Sequence, residues 1–204
     1  MIPKIIFRYS SIYDELFKSN LEKYYEVSKS EHTKKVLEDY PSRKRIGNYV
    51  KKIEPLWKEK EKKVLEAISK ISGLKWQEIF IKVYIVGKCR PFSDPLTICP
   101  HKKNYEFIDV LTHELIHQIQ TQNSKIFKKW LDHMKKKYGK ESRITKSHIF
   151  LHAVHKKIYL EIFDKKRLNK NLKRSIRPEY ARAWQIVEEE GYENIIKKFR
   201  EVIK

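Results

Sequence analysis

Glu106-Phe107-Ile108-Asp109-Val110-Leu111-Thr112-His113-Glu114-Leu115-Ile116-His117-Gln118-Ile119-Gln120-Thr121-Gln122 decides how this chain folds. Its apolar residues, Phe107, Ile108, Val110, Leu111, Leu115, Ile116 and Ile119, recur with a helical period and predict a core-facing helix. His113 and His117 stand one turn apart on one face of that helix, with roughly 6 Å between their Cβ atoms. Two imidazoles so placed both reach a metal ion at about 2.0–2.1 Å. Glu114, next to the first histidine, then faces a water activated by that metal and is placed to take its proton. The stretch is therefore expected to supply two metal ligands, His113 and His117, and a general base, Glu114.

The elements on either side set the fold class. Lys4 to Arg8 reads as a short strand followed by helix. Ser42 starts a further helix, which Pro55 is expected to kink or interrupt; a second helical segment runs from Leu56 to Ile71 and Gly73 closes it. Ile79-Phe80-Ile81-Lys82-Val83-Tyr84-Ile85-Val86, β-branched and aromatic, is the clearest strand in the chain. Pro91 to Pro95 reads as a loop, and Leu96-Thr97-Ile98-Cys99, with proline at both ends, as an edge strand. After the central helix come helices near Lys125–Tyr138, His148–Asp164 (capped by Ser147), Pro178–Glu190 and Tyr192–Lys204. The expected class is α+β and mostly helical: a sheet of about three strands packed on the histidine helix, with a helical C-terminal part. The organisation is one domain over 1–204, in three segments: an N-terminal helical part at 1–75, sheet and histidine helix at 76–124, and a helical lobe at 125–204.

This order of strand, turn, edge strand and histidine helix resembles the layout of the zincin metallopeptidases. Ile79 to Gln122 is similar to a zincin upper subdomain, and Thr112-His113-Glu114-Leu115-Ile116-His117 to its active-site helix. The chain looks like a small prokaryotic zincin, nearer the gluzincin or minigluzincin type than the metzincins, because no Gly and third His follow His117 at the metzincin spacing. It more weakly resembles the SprT-like proteases, whose partner is DNA-bound protein. The His-Gly-x-x-Phe element expected of that group is absent; Lys125-Ile126-Phe127 sits near where it would fall. The resemblance implies a Zn2+-dependent peptidase acting on a peptide or protein.

A catalytic zinc takes three protein ligands and keeps one open position. Downstream, His148, His152 and His155 share one helix face, and Glu161 lies beyond them. His152 is the favoured third ligand, because small Ala153 beside it allows close helix approach. His155, Glu161 and His148 remain as alternatives, in that order. Zincins often steady the reaction's oxyanion with a second imidazole or a tyrosine, and the resemblance gives that role to His155 or Tyr159. Asp109, one turn before His113, is placed to orient a ligand imidazole or to stand solvated. The strand Leu96–Cys99 is expected to bind substrate backbone as an added strand.

Composition bounds the partners. The chain has 204 residues with 46 Lys+Arg against 26 Asp+Glu, a net charge of +20. That excess reads either as a compositional trait or as a surface for nucleic acid. The basic runs are Lys165-Lys166-Arg167, Lys170 to Arg174 and Lys135-Lys136-Lys137. The alternative function is thus a nucleic-acid-associated protein whose metal is structural or absent, although no zinc-finger, RNP or Gly-rich motif is present. No stretch approaches the about 18 apolar residues of a membrane span, and the start shows no long apolar signal core. A cytoplasmic setting with reduced thiols at Cys89 and Cys99 is expected. A Cys89–Cys99 disulfide, or a metal pair with His101, are the lesser readings of those cysteines.

Overall fold

A computed structural model describes residues 1–174 and 177–204. It is 71% helical with one small mixed sheet, the α+β, mostly helical class expected from the sequence. The elements run β1 (Lys4–Tyr9), α1 (Ser11–Ser28), α2 (Glu31–Glu38), α3 (Arg43–Ser72), β2 (Phe80–Ile85), β3 (Phe92–Ser93), β4 (Leu96–Ile98), α4 (Asn104–Gln122), α5 (Ser124–Lys137), α6 (Arg143–Ile162), α7 (Lys165–Arg174), α8 (Pro178–Glu190) and α9 (Tyr192–Ile203). The chain forms two compact units. A sheet unit holds Lys4–Glu61 and Phe80–Glu114; a helical unit holds Met1–Pro3, Lys62–Ile79 and Leu115–Lys204. The units cut across the three segments read from sequence, because β1 pairs with β2 far along the chain.

In the sheet unit the strand order is β1-β2-β4-β3. β1 and β2 are parallel from Lys4↔Phe80 to Tyr9↔Ile85, β2 and β4 are parallel, and β3 and β4 antiparallel. Alternate residues Ile5, Ile81, Val83 and Ile85 are buried, and Phe7 packs on Phe107 of α4 at 5.9 Å between centroids. This corrects the strand reading in two ways. The sheet has four strands, since Phe92–Ser93 inside the expected loop pairs with β4. And β4 is interior, with β1 and β3 at the edges. The prolines mislead because both lie outside the paired residues of Leu96–Ile98, which are all buried.

Asp14 ties this unit together. It is 8% exposed and accepts hydrogen bonds from the Tyr9 hydroxyl (2.9 Å), the Tyr40 hydroxyl (2.7 Å) and the Gly87 amide (2.6 Å). The Tyr40 ring lies so close to Gly87 that a Cβ there would stand 2.4 Å from it, which is why the position takes glycine.

α3 is a single helix from Arg43, with Ser42 accepting the Arg45 amide at 3.3 Å as expected. Pro55 lies inside it and does not end it. Proline removes one backbone bond, but Ile53, Trp57, Val64, Leu65 and Ile68 are fully buried along the same helix. At about 1.5–3 kcal/mol per large apolar side chain, that burial outweighs the missing bond.

The helical unit is built on Phe127, Trp130, Phe150 and Phe199, with the rings of Phe150 and Phe199 stacked at 3.7 Å. α6 begins earlier than the sequence suggests: Ser142, not Ser147, caps it by accepting the Thr145 amide at 3.0 Å. α7, a helix of basic residues, stands where the sequence suggests only a polar connection. No helix among the described residues is long and apolar enough to cross a membrane.

Candidate metal centre

His113 and His117 occur on α4 one turn apart, as the sequence requires. Ile108, Leu111, Leu115, Ile116 and Ile119 are buried around them. Between Leu111 and Gln120, His113 and His117 keep partial exposure while every other residue is buried. Ring nitrogens of His113, His117 and His148 all lie within 4.8 Å of one another, so the three could hold one metal ion. The Nε2 atoms of His117 and His148 are 3.3 Å apart.

The spacing of two of the three donors fits a tetrahedral ion. Ligands at about 2.0–2.1 Å in tetrahedral geometry stand about 3.3–3.4 Å from each other, which the His117–His148 spacing meets. His148 Nδ1 is 2.8 Å from the Ile144 carbonyl, which fixes that nitrogen as the N–H donor and leaves Nε2 as the bare acceptor facing His117. Burial pushes the His117 imidazole down to about 3, with His148 adding to the effect and a hydrogen bond to Gln120 opposing it. Burial also lowers His148, against its bond to Ile144 and with help from the Arg177 guanidinium. Neutral imidazoles are the form that binds metal. His148 is buried while His113 and His117 are partly exposed, so the open side of the group faces out past the α4 pair.

Glu114 is 6% exposed, and burial raises its carboxyl to about 8. A carboxyl so poised is a proton carrier near neutral pH, and a cation beside it would favour its charged form.

The third histidine of this group is His148, the last of the alternatives; the favoured His152 is not among its three donors. His152 is buried, stacked on Trp184 at 4.2 Å, and its ring centroid is 5.5 Å from that of His148. His155 and Tyr159 are buried and stacked on each other at 4.6 Å. Helix rise separates them from His148 by about 10 Å and 16 Å, so the structure does not bring them to the cluster. Glu161 is exposed and pairs with Lys157 at 3.2 Å. Asp109 is buried on α4 at 1% exposure, which removes the solvated reading of that carboxylate.

Two further residues near the cluster go unmarked in the sequence. The Tyr180 ring packs on His148 at 4.5 Å, and the Arg177 guanidinium lies 5.5 Å from the Tyr180 ring. Both stand at the start of α8, where the sequence offers only the helix-starting Pro178 as a signal.

Cys89 and Cys99 are free thiols. No group joining them to His101 with three metal-donor atoms is assembled among the described residues. Comparison with family models, with curated proteins and with solved structures finds no match to this chain.

Proposed function

We propose that the chain is a zinc-dependent peptidase whose metal is held by His113, His117 and His148. The observation that carries this reading is the convergence of three ring nitrogens within 4.8 Å beside a buried glutamate. A structural zinc usually takes four protein ligands, whereas a catalytic one takes three and keeps an open position. When bound, zinc supplies Lewis acidity that acidifies a water and polarises a carbonyl.

The remaining work falls to the chain. Glu114 takes the proton of the attacking water and delivers it to the leaving amine. Its buried setting, which raises its affinity for a proton, suits both halves of that transfer. His148, held through Nδ1 by Ile144, fixes the geometry of the group. Tyr180, packed on His148, takes the oxyanion-steadying role expected from the sequence at His155 or Tyr159. With β4 interior, an extended substrate would add at the outer edge of the antiparallel strand β3.

Glu114→Gln tests the reading. The variant should keep its zinc and lose hydrolysis of an unfolded protein substrate such as casein. Wild-type rates in that variant would remove Glu114 from the chemistry.

A second reading rests on a separate observation. Lys165, Lys166, Lys170 and Lys173 are exposed on α7, a helix without an acidic residue, in a chain of net charge +20. These features support a surface for a nucleic acid, either beside the peptidase function or in place of it.

A further inference from the structure

Cys89 lies on the loop between β2 and β3, and Cys99 directly follows β4. β2 and β4 run parallel with Ile85 beside Ile98, and the Val86 amide donates to the Ile98 carbonyl at 3.2 Å. That pairing carries both cysteines to the same end of the sheet. Both are free and partly exposed. The Cys99 thiol donates to the Cys89 carbonyl at 3.5 Å, and the two thiols lie near enough to shift each other's titration. Two thiols brought this near by paired neighbouring strands are placed to join.

The two sulfurs differ in character. Cys89, its thiol foremost and its backbone next, lowers the Cys99 thiol against the effect of burial, and the Lys88 ammonium helps. The neighbouring Cys99 thiol and burial push Cys89 up, and the carboxylates of Glu114 and Asp14 add to the rise. Cys99 is thus the nucleophilic sulfur and Cys89 the resolving one.

We propose that Cys89 and Cys99 form a reversible dithiol–disulfide site that reacts with hydroperoxides. The Cys99 thiolate attacks a peroxide oxygen; an S–O bond forms, the O–O bond breaks, and with one proton a water leaves. The Cys89 sulfur then attacks the Cys99 sulfur; an S–S bond forms, the S–O bond breaks, and a second water leaves. In sum, two thiols and one hydrogen peroxide give one disulfide and two waters. A thiol reductant reverses it.

The test uses the full chain treated with hydrogen peroxide, then alkylated, digested and weighed. The expected product is a single linkage between the Cys89 and Cys99 peptides of one chain, two hydrogens lighter and reversed by dithiothreitol. In Cys89→Ser the oxidation should stop at a Cys99 sulfenic acid that dimedone traps. The Cys89 thiol of Cys99→Ser should alkylate about tenfold more slowly at neutral pH than Cys99 does in Cys89→Ser. The proposal is overturned if peroxide leaves both thiols open to alkylation, oxidises them independently, or links two chains instead. None of these readouts depends on metal content or peptidase activity.

Discussion

Nε2 of His117 faces Nε2 of His148 across 3.3 Å, with the two rings inclined at 77°. The bond from His148 Nδ1 to the Ile144 carbonyl leaves the His148 Nε2 lone pair pointing into that gap. Burial disfavours a charge on either ring. Without an ion, His117 must donate its own proton across the gap; with one, both nitrogens offer lone pairs to a shared cation. His113, one turn before His117, turns the pair into a three-donor group.

Tyr180 should matter through its hydroxyl if it steadies the developing oxyanion. Tyr180→Phe keeps the ring that packs on His148, so zinc content should not change. The kcat on a peptide substrate should fall about 10- to 100-fold with KM little altered. A role limited to packing on His148 would leave kcat unchanged in the same variant.

Stability of the metal-free protein should depend on pH with two opposed slopes. His117 and His155 are each held near 3 by burial, so between about 6.5 and 3 the unfolded chain binds more protons than the folded one. Folding stability is therefore lost as pH falls through that window. Glu114 is raised to about 8, so between about 4.5 and 8 the folded chain holds the extra proton and stability falls as pH rises. Thermal melts of the chelated protein should show a maximum between these limbs. Glu114→Gln should flatten the alkaline limb and steepen the acid limb above about pH 4.5, and a melt unchanged on the alkaline side would contradict the burial-driven shift.

Much of the fold and two of the three donors are legible in the sequence. The period of Phe107, Leu111, Leu115 and Ile119 marks the helix, and the one-turn spacing of His113 and His117 marks two donors, because both signals are local. The third donor is not legible. His148, His152 and His155 share a helix face with little to rank them, and small Ala153 draws attention to its neighbour. The choice depends on which turn of α6 faces α4, a tertiary matter. β3 escapes for a similar reason: two residues have no periodicity, and Phe92–Ser93 is a strand only because β4 lies beside it. Tyr180 is an ordinary helix tyrosine until the fold sets its ring on His148.

Asp14 and Gly87 should be the most sensitive positions of the sheet unit outside the cluster. Asp14→Ala leaves the Tyr9 hydroxyl and the Gly87 amide without their acceptor, and the Tyr40 hydroxyl with only the Asp14 main-chain carbonyl at 3.2 Å, at a cost of about 2–4 kcal/mol. Gly87→Ala drives a methyl into the Tyr40 ring and should cost about 1–3 kcal/mol. Chemical denaturation of both variants checks this. A midpoint equal to wild type for Asp14→Ala would remove Asp14 as the organising residue.

The basic surface makes its own prediction. Binding of duplex DNA should weaken as salt rises, with a log–log slope of several units. Replacing Lys165, Lys166, Lys170 and Lys173 by glutamine should reduce that slope by about 3–4, near 0.9 for each phosphate no longer neutralised. An unchanged slope would place the DNA-binding surface elsewhere, and no binding at low salt would leave the +20 charge as a trait of composition.

Metal content is the most direct test of the central claim. Purified wild-type protein, His148→Ala and His152→Ala are dialysed against the same limiting zinc and assayed by elemental analysis. One zinc per chain is expected in the wild type and in His152→Ala, and a loss of affinity of about 100-fold or more, on the order of 3 kcal/mol, in His148→Ala. Full zinc in His148→Ala, or zinc depletion confined to His152→Ala, would contradict a centre built from His113, His117 and His148.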